Sequence, residues 1–584
     1  MRNDKRLSGV AIAQQLRLFL SHDWHWGLIL VLAVIIMYSP VWWAGYIWDD
    51  DMVVTGNPVV IGPLGLKEIW TTAAADICPL SLTTFWIEHK LWGLNPLPYH
   101  LVNVLLHGVS AVLLWRVLRH LKIAGAWLGA ALWALHPVLV ESVAWVTELK
   151  NTQSGLFFLL TGLFFVKGLE AGKLKKRRRW NWNYPLTLLF AALAMASKSS
   201  TVILPIVLCL CAWWIEGRWQ WRNLTKLSPI FLMSLAAGMV TLWTQKLQMA
   251  IGPGPEVRTW PERLATAGDA IWFYLGKLVW PHPLMTVYPR WQIDPSQWTS
   301  YLALMGAVSV LVILWLKRAS WSRIYFFTFA FFLVALFPVL GLINNSFCRY
   351  SFVADHFQYL AAMGPLSLAG AGLFGLAKFV IPERAWLQSI IAGGVLLALG
   401  ILSWQRVWAY ESQETLWTDT LAKNPNCWVG HGNLGAAWSK SGRIPEAIAQ
   451  FTEALRLNPN YAEAHNDLGS VLVDVGKYDE AAVHEKEALR LNPNLAEAHY
   501  IFGNALYQTG RYAEAKDQYE QALRLKPDYA DAHSNLGAAL SGLGRLDEAI
   551  VEIKTALRLD PNTAHAQENL AKLEAMAAQG TTSK

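Results

Sequence analysis

The sequence has little charge and few cysteines, and both shortages narrow the range of functions. Only 16% of its 584 residues are Asp, Glu, Lys or Arg, and its five cysteines show no spacing typical of a zinc site. The formal charge of +7 is small for this length and belongs mostly to loops between apolar runs. This pattern argues for membrane topology and against nucleic-acid binding. The sequence leaves open whether Cys78 and Cys348 form a disulfide bond.

The N-terminus lacks a small-residue cleavage site after a short hydrophobic core, so residues 27–45 are interpreted as a retained first span. Hydrophobic residues make up 54% of the chain, and nearly all long apolar runs precede residue 405. The sequence predicts an all-α protein, with a polytopic membrane domain of about 11 spans followed by a polar helical domain. The predicted spans are about 27–45, 99–118, 124–145, 151–168, 184–198, 200–216, 227–247, 298–316, 322–343, 357–377 and 385–404.

Basic residues fall before the first span and in alternate loops, on the side expected to be cytoplasmic. They are Arg2, Lys5, Arg6 and Arg17, then Arg116, Arg119 and Lys122, the run Lys173–Arg179, Arg218, Arg222 and Lys226, Lys317, Arg318 and Arg323, and Lys378 and Arg384. The opposite side receives loop 46–98 and the segments 146–151, 248–297 and 344–356. The weakly apolar helix 262–280 is interpreted as peripheral or re-entrant. An odd span count then places the C-terminal domain outside, in the periplasm of an inner-membrane protein or the lumen of the endoplasmic reticulum.

Prolines recur every 34 residues near the C-terminus, and each of the last four ends the same skeleton of small and large residues. They are Pro425, Pro459, Pro493, Pro527 and Pro561. This is the pattern of tetratricopeptide repeats, in which Gly and Ala let two antiparallel helices approach and Pro ends the second. The predicted domains are a cytoplasmic N-terminus (1–26), a membrane domain (27–404), a junction with a partial repeat (405–427), four repeats (428–561) and a capping helix with a tail (562–584).

Two sets of polar residues recur along the repeats. His431, His465, His499 and His533 share one position and are interpreted as packing residues, although a metal column is the alternative. Asn433, Asp467 and Asn535 are predicted to line the concave groove, where amides could bind an extended polypeptide. The run Ala-His-x-Asn-Leu-Gly resembles the repeats of cytoplasmic O-GlcNAc transferase, but Ile501 interrupts the series. The groove therefore suits either acceptor binding or simple scaffold duty.

Three aspartates, Asp49, Asp50 and Asp51, stand where the first span ends. Charged groups at a membrane boundary mark functional sites. Neighbouring carboxylates raise each other's pKa, which suits acceptance of a proton from an alcohol. The cluster could instead hold a divalent cation, or cap a short surface helix.

Two longer motifs follow the aspartates. One is LNPLPYHLVNVLLH at residues 94–107, and the other is HPVLVESVAW at residues 136–145. Together with the aspartates and the order of membrane part and repeats, they resemble the transmembrane and tetratricopeptide-repeat proteins of the glycosyltransferase C superfamily, over nearly the whole chain. The resemblance implies a membrane fold of glycosyltransferase C type, a polyprenyl- or dolichyl-phosphate sugar donor, usually mannose, and O-linked transfer with inversion. It also implies an acidic pair, carried here by Asp49 and Asp50.

The chain departs from that family at three basic positions, where Cys78, Leu149 and His356 stand. Other external basic residues remain to contact a donor phosphate, and we assign that role to Lys150, Lys198, Arg290, Arg349 and His356. The alternative for the lysines is that they extend along the membrane surface to reach water.

The leading hypothesis is therefore an external O-glycosyltransferase. Its predicted partners are a polyprenyl-phosphate-linked sugar, membrane lipid, and an acceptor polypeptide or glycan held by the repeats. Asp49 and Asp50 are the predicted catalytic pair, with no cofactor required and a divalent cation as the open alternative. A non-catalytic membrane scaffold that recruits envelope-assembly proteins is the rival. A transporter is less favoured, because neither paired inverted repeats nor charged mid-membrane residues stand out.

Overall fold

The computed structural model describes residues 23–63, 65–72, 78–173, 182–251, 258–343, 346–563 and 566–582. The predicted basic residues Arg2, Lys5, Arg6 and Arg17, and residues 174–179 of the basic run, lie outside these ranges. Within them the chain is helical and contains no strand, which confirms the all-α prediction. The chain divides into two compact units, residues 1–424 and 425–584. The five cysteines form no disulfide.

The first unit consists of apolar helices joined by short turns. Its α-helices are α1 (Asp23–Met37), α2 (Pro58–Ile61), α3 (Gly65–Thr71), α4 (Pro79–Trp92), α5 (Pro96–His120), α6 (Ala126–Ala134), α7 (Val140–Ala144), α8 (Leu149–Lys173), α9 (Asn183–Ser197), α10 (Leu204–Glu216), α11 (Trp221–Ile251), α12 (Trp260–Val279), α13 (Leu302–Leu316), α14 (Arg323–Leu336), α15 (Met363–Val380), α16 (Ala385–Val407) and α17 (Gln413–Lys423).

Seven helical stretches in the described residues are long and apolar enough to cross a membrane. They are Pro96–His120, Val146–Ala171, Ser199–Glu216, Trp221–Thr244, Trp298–Leu316, Met363–Val380 and Ala385–Tyr410. An eighth is the pair Ala126–Ala134 and Pro137–Ala144, which is bent by 52°. Three shorter apolar helices, Asp23–Met37, Asn183–Ser197 and Arg323–Val339, fall at the other three predicted spans. Each predicted span thus overlaps an apolar helix or, for residues 124–145, the bent pair of helices.

Helix α12, which covers the predicted peripheral segment, is not among these membrane-spanning candidates. Thr259 and Glu262 form a capping box at its N-terminus, which satisfies two backbone N–H groups. Its buried residues include Ala267, Ile271 and Tyr274, spaced to share one helical face. The helix is therefore amphipathic, as expected for a peripheral segment.

The chain between α6 and α8 is broken into short helical pieces, which together form an irregular connection between the two helices. His136 accepts a hydrogen bond from the backbone of Val138, which starts a 3₁₀ turn at Pro137–Leu139. After α7, a second 3₁₀ turn covers Val146–Glu148 and leads directly into α8. The polar side chains of Thr147, Glu148, Lys150 and Asn151 thus lie at and just before the start of α8.

The second unit is a stack of helix pairs, as the 34-residue period predicts. Its helices are α18 (Trp428–Lys440), α19 (Ile444–Leu457), α20 (Ala462–Asp474), α21 (Tyr478–Leu491), α22 (Ala496–Gln508), α23 (Tyr512–Leu525), α24 (Ala530–Gly542), α25 (Leu546–Leu559) and α26 (Ala566–Thr582).

The repeated histidines pack within their own repeats. In each, Nε2 lies 3.0–3.3 Å from the carbonyl oxygen of the proline that precedes the repeat. Nδ1 lies 2.6–3.0 Å from a side chain on the second helix. The four rings therefore tie the turn to both helices, as packing residues do.

A glycine on the first helix of each repeat accommodates a large side chain from the second. Gly435 faces Phe451, Gly503 faces Tyr519 and Gly537 faces Ile553. In the second repeat the same place is taken by Glu485, whose carboxylate lies against Gly469. Glu485 is fully buried, and neither carboxylate oxygen has a hydrogen-bond partner. Burial, and secondarily the charge of Asp467, raises the pKa of Glu485 to about 10.

We expect Glu485→Phe to stabilise the second repeat by about 2 kcal/mol, since an apolar ring replaces a buried carboxyl group. In the native protein, unfolding releases the Glu485 proton at any pH between the ordinary pKa of Glu and the raised folded value. Stability of this repeat should therefore fall as pH rises through that window, and the substitution should remove the dependence. Hydrogen exchange of peptides within residues 462–491 of the full chain measures both effects.

Glu480→Phe is the matched control, because Glu480 is exposed on the same helix and should show neither effect. A native second repeat that exchanges equally at pH 6 and pH 9, after correction for intrinsic rates, would contradict the expectation.

Candidate active site

The three aspartates follow a turn made by Trp48, whose φ of +46° is rare for any residue other than glycine. Asp50 precedes the π-helical turn Asp51–Thr55 but makes no side-chain hydrogen bond to cap it. Asp51 is exposed and accepts a hydrogen bond from the Thr55 hydroxyl at 3.1 Å. The capping alternative therefore fails for Asp50.

Asp50 is fully buried and acts as an anchor. Its Oδ2 accepts from the backbone N–H of Ile47 at 2.8 Å, and its Oδ1 accepts from that of Thr147 at 2.9 Å. The second bond joins loop 46–98 to the turn before α8. Burial, followed by the neighbouring charge of Asp49, raises the pKa of Asp50 well above its usual range.

Asp49 is only partly buried, and its Oδ1 accepts from the Thr147 hydroxyl at 2.7 Å. Thr147 thus holds both carboxylates, one through its backbone and one through its side chain. Burial raises the pKa of Asp49, whereas the Lys150 charge and the Thr147 hydroxyl oppose that increase. The geometry leaves Asp49 as the carboxylate that a substrate could reach.

Glu148 lies at the centre of the basic residues that the sequence singled out. Its side chain is 1% exposed, and its Oε1 lies 2.9 Å from Lys150 Nζ. Its Oε2 lies 3.9 Å from Lys198 Nζ and also accepts from the Asn151 amide. Lys198 Nζ donates to the Asn151 amide oxygen at 2.5 Å. One buried carboxylate therefore pairs with two ammonium groups, one on α8 and one on the residue that follows α9.

His356 extends this network inward. Its Nδ1 lies 3.3 Å from Glu141 Oε1, and its Nε2 lies 4.0 Å from Glu148 Oε1. Next to it, Asp355 accepts from the Tyr288 hydroxyl at 2.9 Å. Burial, followed by the charge of Glu141, raises the pKa of Asp355 to about 8. His356 is thus enclosed between carboxylates and is 5% exposed.

The structure brings Asp49, Asp50, Lys150, Lys198 and His356 into one network. Arg290 lies with its guanidinium 5.0 Å from the centre of the Phe352 ring, which Arg258 also approaches. Arg349 ends the 3₁₀ turn Ser346–Arg349 and precedes Tyr350.

The three predicted groove residues differ in their surroundings. The Asn433 amide donates to the Val429 carbonyl of its own helix at 2.8 Å. Burial raises the pKa of Asp467 to about 7. Asn535 donates to Asn504 Oδ1 at 2.8 Å and to the Tyr500 hydroxyl at 3.2 Å.

Asn504 supplies a polar side chain close to the break that Ile501 makes in the series. Its amide oxygen accepts from both Asn535 and Tyr519, and all three line one cavity of the repeat unit. Asn504 lies three residues after Ile501, so a comparison of positions one repeat apart does not find it.

Thr147, Glu148 and Glu141 were also missed as site residues. The sequence shows them near the HPVLVESVAW motif, but their partners lie up to about 215 residues away in the chain. The sequence did contain one signal for this site. Glu148 is followed two residues later by Lys150 at the end of a predicted span. Among the described residues, no group of three or more His, Cys, Asp or Glu side chains is arranged to hold a metal ion.

The chain shares sequence with known families in two ways. A family model described as TPR repeat matches residues 439–476 and 503–544, and one described as tetratricopeptide repeat matches residues 530–563. "Protein O-mannosyl-transferase TMTC2" of Mus musculus is 38% identical over 91 residues, which cover 15% of this chain and 11% of that protein. "Protein O-mannosyl-transferase F38B6.6" of Caenorhabditis elegans is 27% identical over 159 residues, which cover 24% and 23%. The chain thus spans less than a quarter of these relatives.

Solved structures of MamA proteins are similar to a quarter of the chain. One is 27% identical and covers 25% of this chain and 80% of its own, with a TM-score of 0.24. Another, from Desulfovibrio magneticus RS-1, is 25% identical and covers 26% and 88%, with a TM-score of 0.25. The two family models show that the chain carries tetratricopeptide repeats, and the sequence matches show that it is homologous in part to protein O-mannosyl-transferases.

We expect Glu148→Gln to lower the free energy of unfolding of the membrane unit by about 3 kcal/mol, because two partly buried ammonium groups lose their shared counter-charge. Thermal unfolding of the purified protein in detergent, followed by tryptophan fluorescence, measures the loss. Glu453→Gln is the control, since Glu453 pairs with Arg456 on the exposed face of α19 and its loss should be undetectable. Equal melting of the two variants would contradict a central role for Glu148.

Proposed function

We propose that this protein is a membrane O-glycosyltransferase, which moves a sugar from a polyprenyl-phosphate donor to an acceptor hydroxyl on the external face. The observation that carries the proposal is a partly exposed carboxylate, Asp49, which lies within the influence of the Lys150 charge, while Glu148 in the adjoining turn pairs with both Lys150 and Lys198. The relatives named protein O-mannosyl-transferases support it and make mannose the first sugar to test.

In the proposed reaction, the acceptor oxygen attacks the anomeric carbon from the side opposite the phosphate, which inverts that carbon. The bond to the phosphate oxygen breaks, and the hydroxyl proton passes to Asp49. A raised pKa suits Asp49 for this step, because a base closer in pKa to the operating pH accepts a proton more effectively. Asp50 is too deeply buried to touch substrate and instead orients its neighbour.

Lys150 and Lys198 are the proposed contacts of the departing phosphate. Ammonium groups stabilise the negative charge that grows on the leaving oxygens. Glu148 fixes both groups before substrate arrives, so little reorganisation accompanies the reaction. The lipid tail has an apolar cavity available in the membrane unit, whose lining includes Leu118, Phe158, Leu208 and Phe331.

The repeats are proposed to bind the acceptor, and a polypeptide is the first candidate. Asn504 and Asn535 place amides in a cavity of the repeat unit, where a backbone could exchange hydrogen bonds with them. The odd span count and the basic alternate loops support an external position for this domain.

Transfer assays test the proposed base directly. With polyprenyl-phosphate mannose and a panel of acceptor peptides, we expect Asp49→Asn to lower kcat by about 10²- to 10⁴-fold, the usual contribution of general base catalysis. Asp51→Asn is the matched control, because Asp51 is adjacent but bonds locally to Thr55. Full transfer by Asp49→Asn would overturn the mechanism, and transfer to glycans alone would overturn the polypeptide acceptor.

We propose that no metal cofactor is needed. Transfer should therefore persist in excess EDTA. Loss of transfer in EDTA that added Mg²⁺ or Mn²⁺ restores would contradict this and favour a cation at Asp49 and Asp50.

The pH dependence of kcat provides a separate test. The Lys150 charge lowers the pKa of Asp49, so Lys150→Met should raise that pKa. Because only the ionised base accepts the proton, the acidic limb of the residual activity should move to higher pH. Lys90→Met removes an exposed lysine from loop 46–98, which carries Asp49, and should leave the acidic limb in place. If the acidic limb of the kcat profile does not move in Lys150→Met, Asp49 is not the group whose ionisation sets that limb.

A further inference from the structure

The turn at Trp48 is held by a group of aromatic rings. Its indole stacks on Trp145, with ring centres 5.2 Å apart and planes 7° apart. The edge of Trp417 meets it at 5.0 Å, and Tyr350 and Phe347 lie at 5.9 and 6.1 Å. A left-handed backbone at a bulky residue persists only where its surroundings enforce it. These rings therefore enforce the conformation immediately before Asp49.

Trp417 comes from the junction between the membrane spans and the repeats, far from Trp48 in sequence. It lies on α17 and is fully buried. Its indole N–H donates to Gln413 Oε1 at 3.1 Å, within the same helix. The hydrogen-bonding group of the ring therefore has its partner within the same helix. The contact of Trp417 with Trp48 is one of ring packing alone.

Helix α17 is fastened to the membrane unit at both ends. Ahead of it, the backbone N–H of Gly45 donates to the Glu411 carbonyl at 2.9 Å, three residues before Trp48. At its C-terminus, Lys423 donates to the Leu284 carbonyl at 2.9 Å, and Asn424 donates to that of Val287 at 3.1 Å. In its middle, Asp419 pairs with Arg406 of α16. The helix thus belongs to the first unit, although it continues the repeat pattern.

We propose that Trp417 is a positioning residue of the active site, which holds the Trp48 turn so that Asp49 faces the acceptor hydroxyl. This rests on the glycosyltransferase function proposed above. The backbone bonds that define the turn run from Asp50 N–H to Ile47 and from Val53 N–H to Asp49, at 3.0 and 2.9 Å. Loss of the Trp417 edge frees Trp48 to leave the left-handed region, which redirects the Asp49 side chain.

Positioning differs from simple core packing in what it changes. A misplaced base slows the chemical step while donor and acceptor still bind, so kcat falls and KM stays nearly constant. A displacement of about 1 Å can cost about 10²-fold in rate. Packing alone would lower the amount of folded protein and leave kcat per folded molecule unchanged.

The test uses the full chain in detergent with three variants. Trp417→Ala removes the ring, Trp417→Phe keeps an aromatic edge, and Trp408→Ala removes an indole of the same junction that contacts Trp43 and Trp404 instead. Hydrogen exchange is followed at the amides of Ile47, Asp50, Val53 and Thr147, whose bonds hold the turn. Transfer kinetics are measured on the same samples.

We expect Trp417→Ala to speed exchange at these amides about tenfold, with exchange in residues 428–561 unchanged. Its kcat should fall about 10²-fold at constant KM, Trp417→Phe should restore most of both, and Trp408→Ala should match the native protein. Unchanged exchange in Trp417→Ala, or faster exchange with native kcat, would overturn the positioning role.

The two proposals fail separately. Absence of transfer by the native protein with every donor and acceptor contradicts the proposed function. The exchange data then still decide whether Trp417 holds the turn, because they require no substrate.

Discussion

The buried carboxylate of Glu148 is the charge on which the arrangement of the candidate site depends. It pairs with Lys150 in the first turn of α8 and with Lys198 directly after α9, and His356, much later in the chain, lies 4.0 Å from it. A buried carboxylate destabilises the fold when it has no partner. When it is paired, its hydrogen bonds fix the orientation of the groups around it. The preceding residue, Thr147, uses this fixed turn to hold both aspartates. Anionic and cationic halves of the site are thus adjacent in one short segment.

Much of the fold could be predicted from the sequence because its signals are local and repeated. The proline at every thirty-fourth residue, with glycine opposite a large side chain, specifies a helix pair wherever it occurs. Apolar runs likewise specify spans. The sequence did not reveal that Glu485 occupies the place of an aromatic ring, since a polar residue in an amphipathic helix is ordinarily assigned to the exposed face.

The site was less predictable, because its contacts join distant segments. The sequence placed Asp49 and Asp50 at a membrane boundary, but could not distinguish the buried anchor from the accessible carboxylate. That distinction comes from Thr147, which reaches both across about a hundred residues. Arg290 was predicted from its charge and its place in the segment 248–297, and the sequence could not show that its guanidinium lies 5.0 Å from the centre of the Phe352 ring. The sign of a side chain's charge can be read from the sequence, whereas its neighbours in space depend on how the whole chain packs.

The histidine contacts of the repeats have a consequence for how this domain can change in length. The ring nitrogens of each histidine contact the carbonyl of the proline six residues before it and a side chain nineteen residues after it. Every such set of contacts is therefore completed within a single 34-residue module and its leading turn. Duplication or loss of a whole module leaves the sets in all others intact, so the solenoid can be extended or shortened without redesign of its remaining turns.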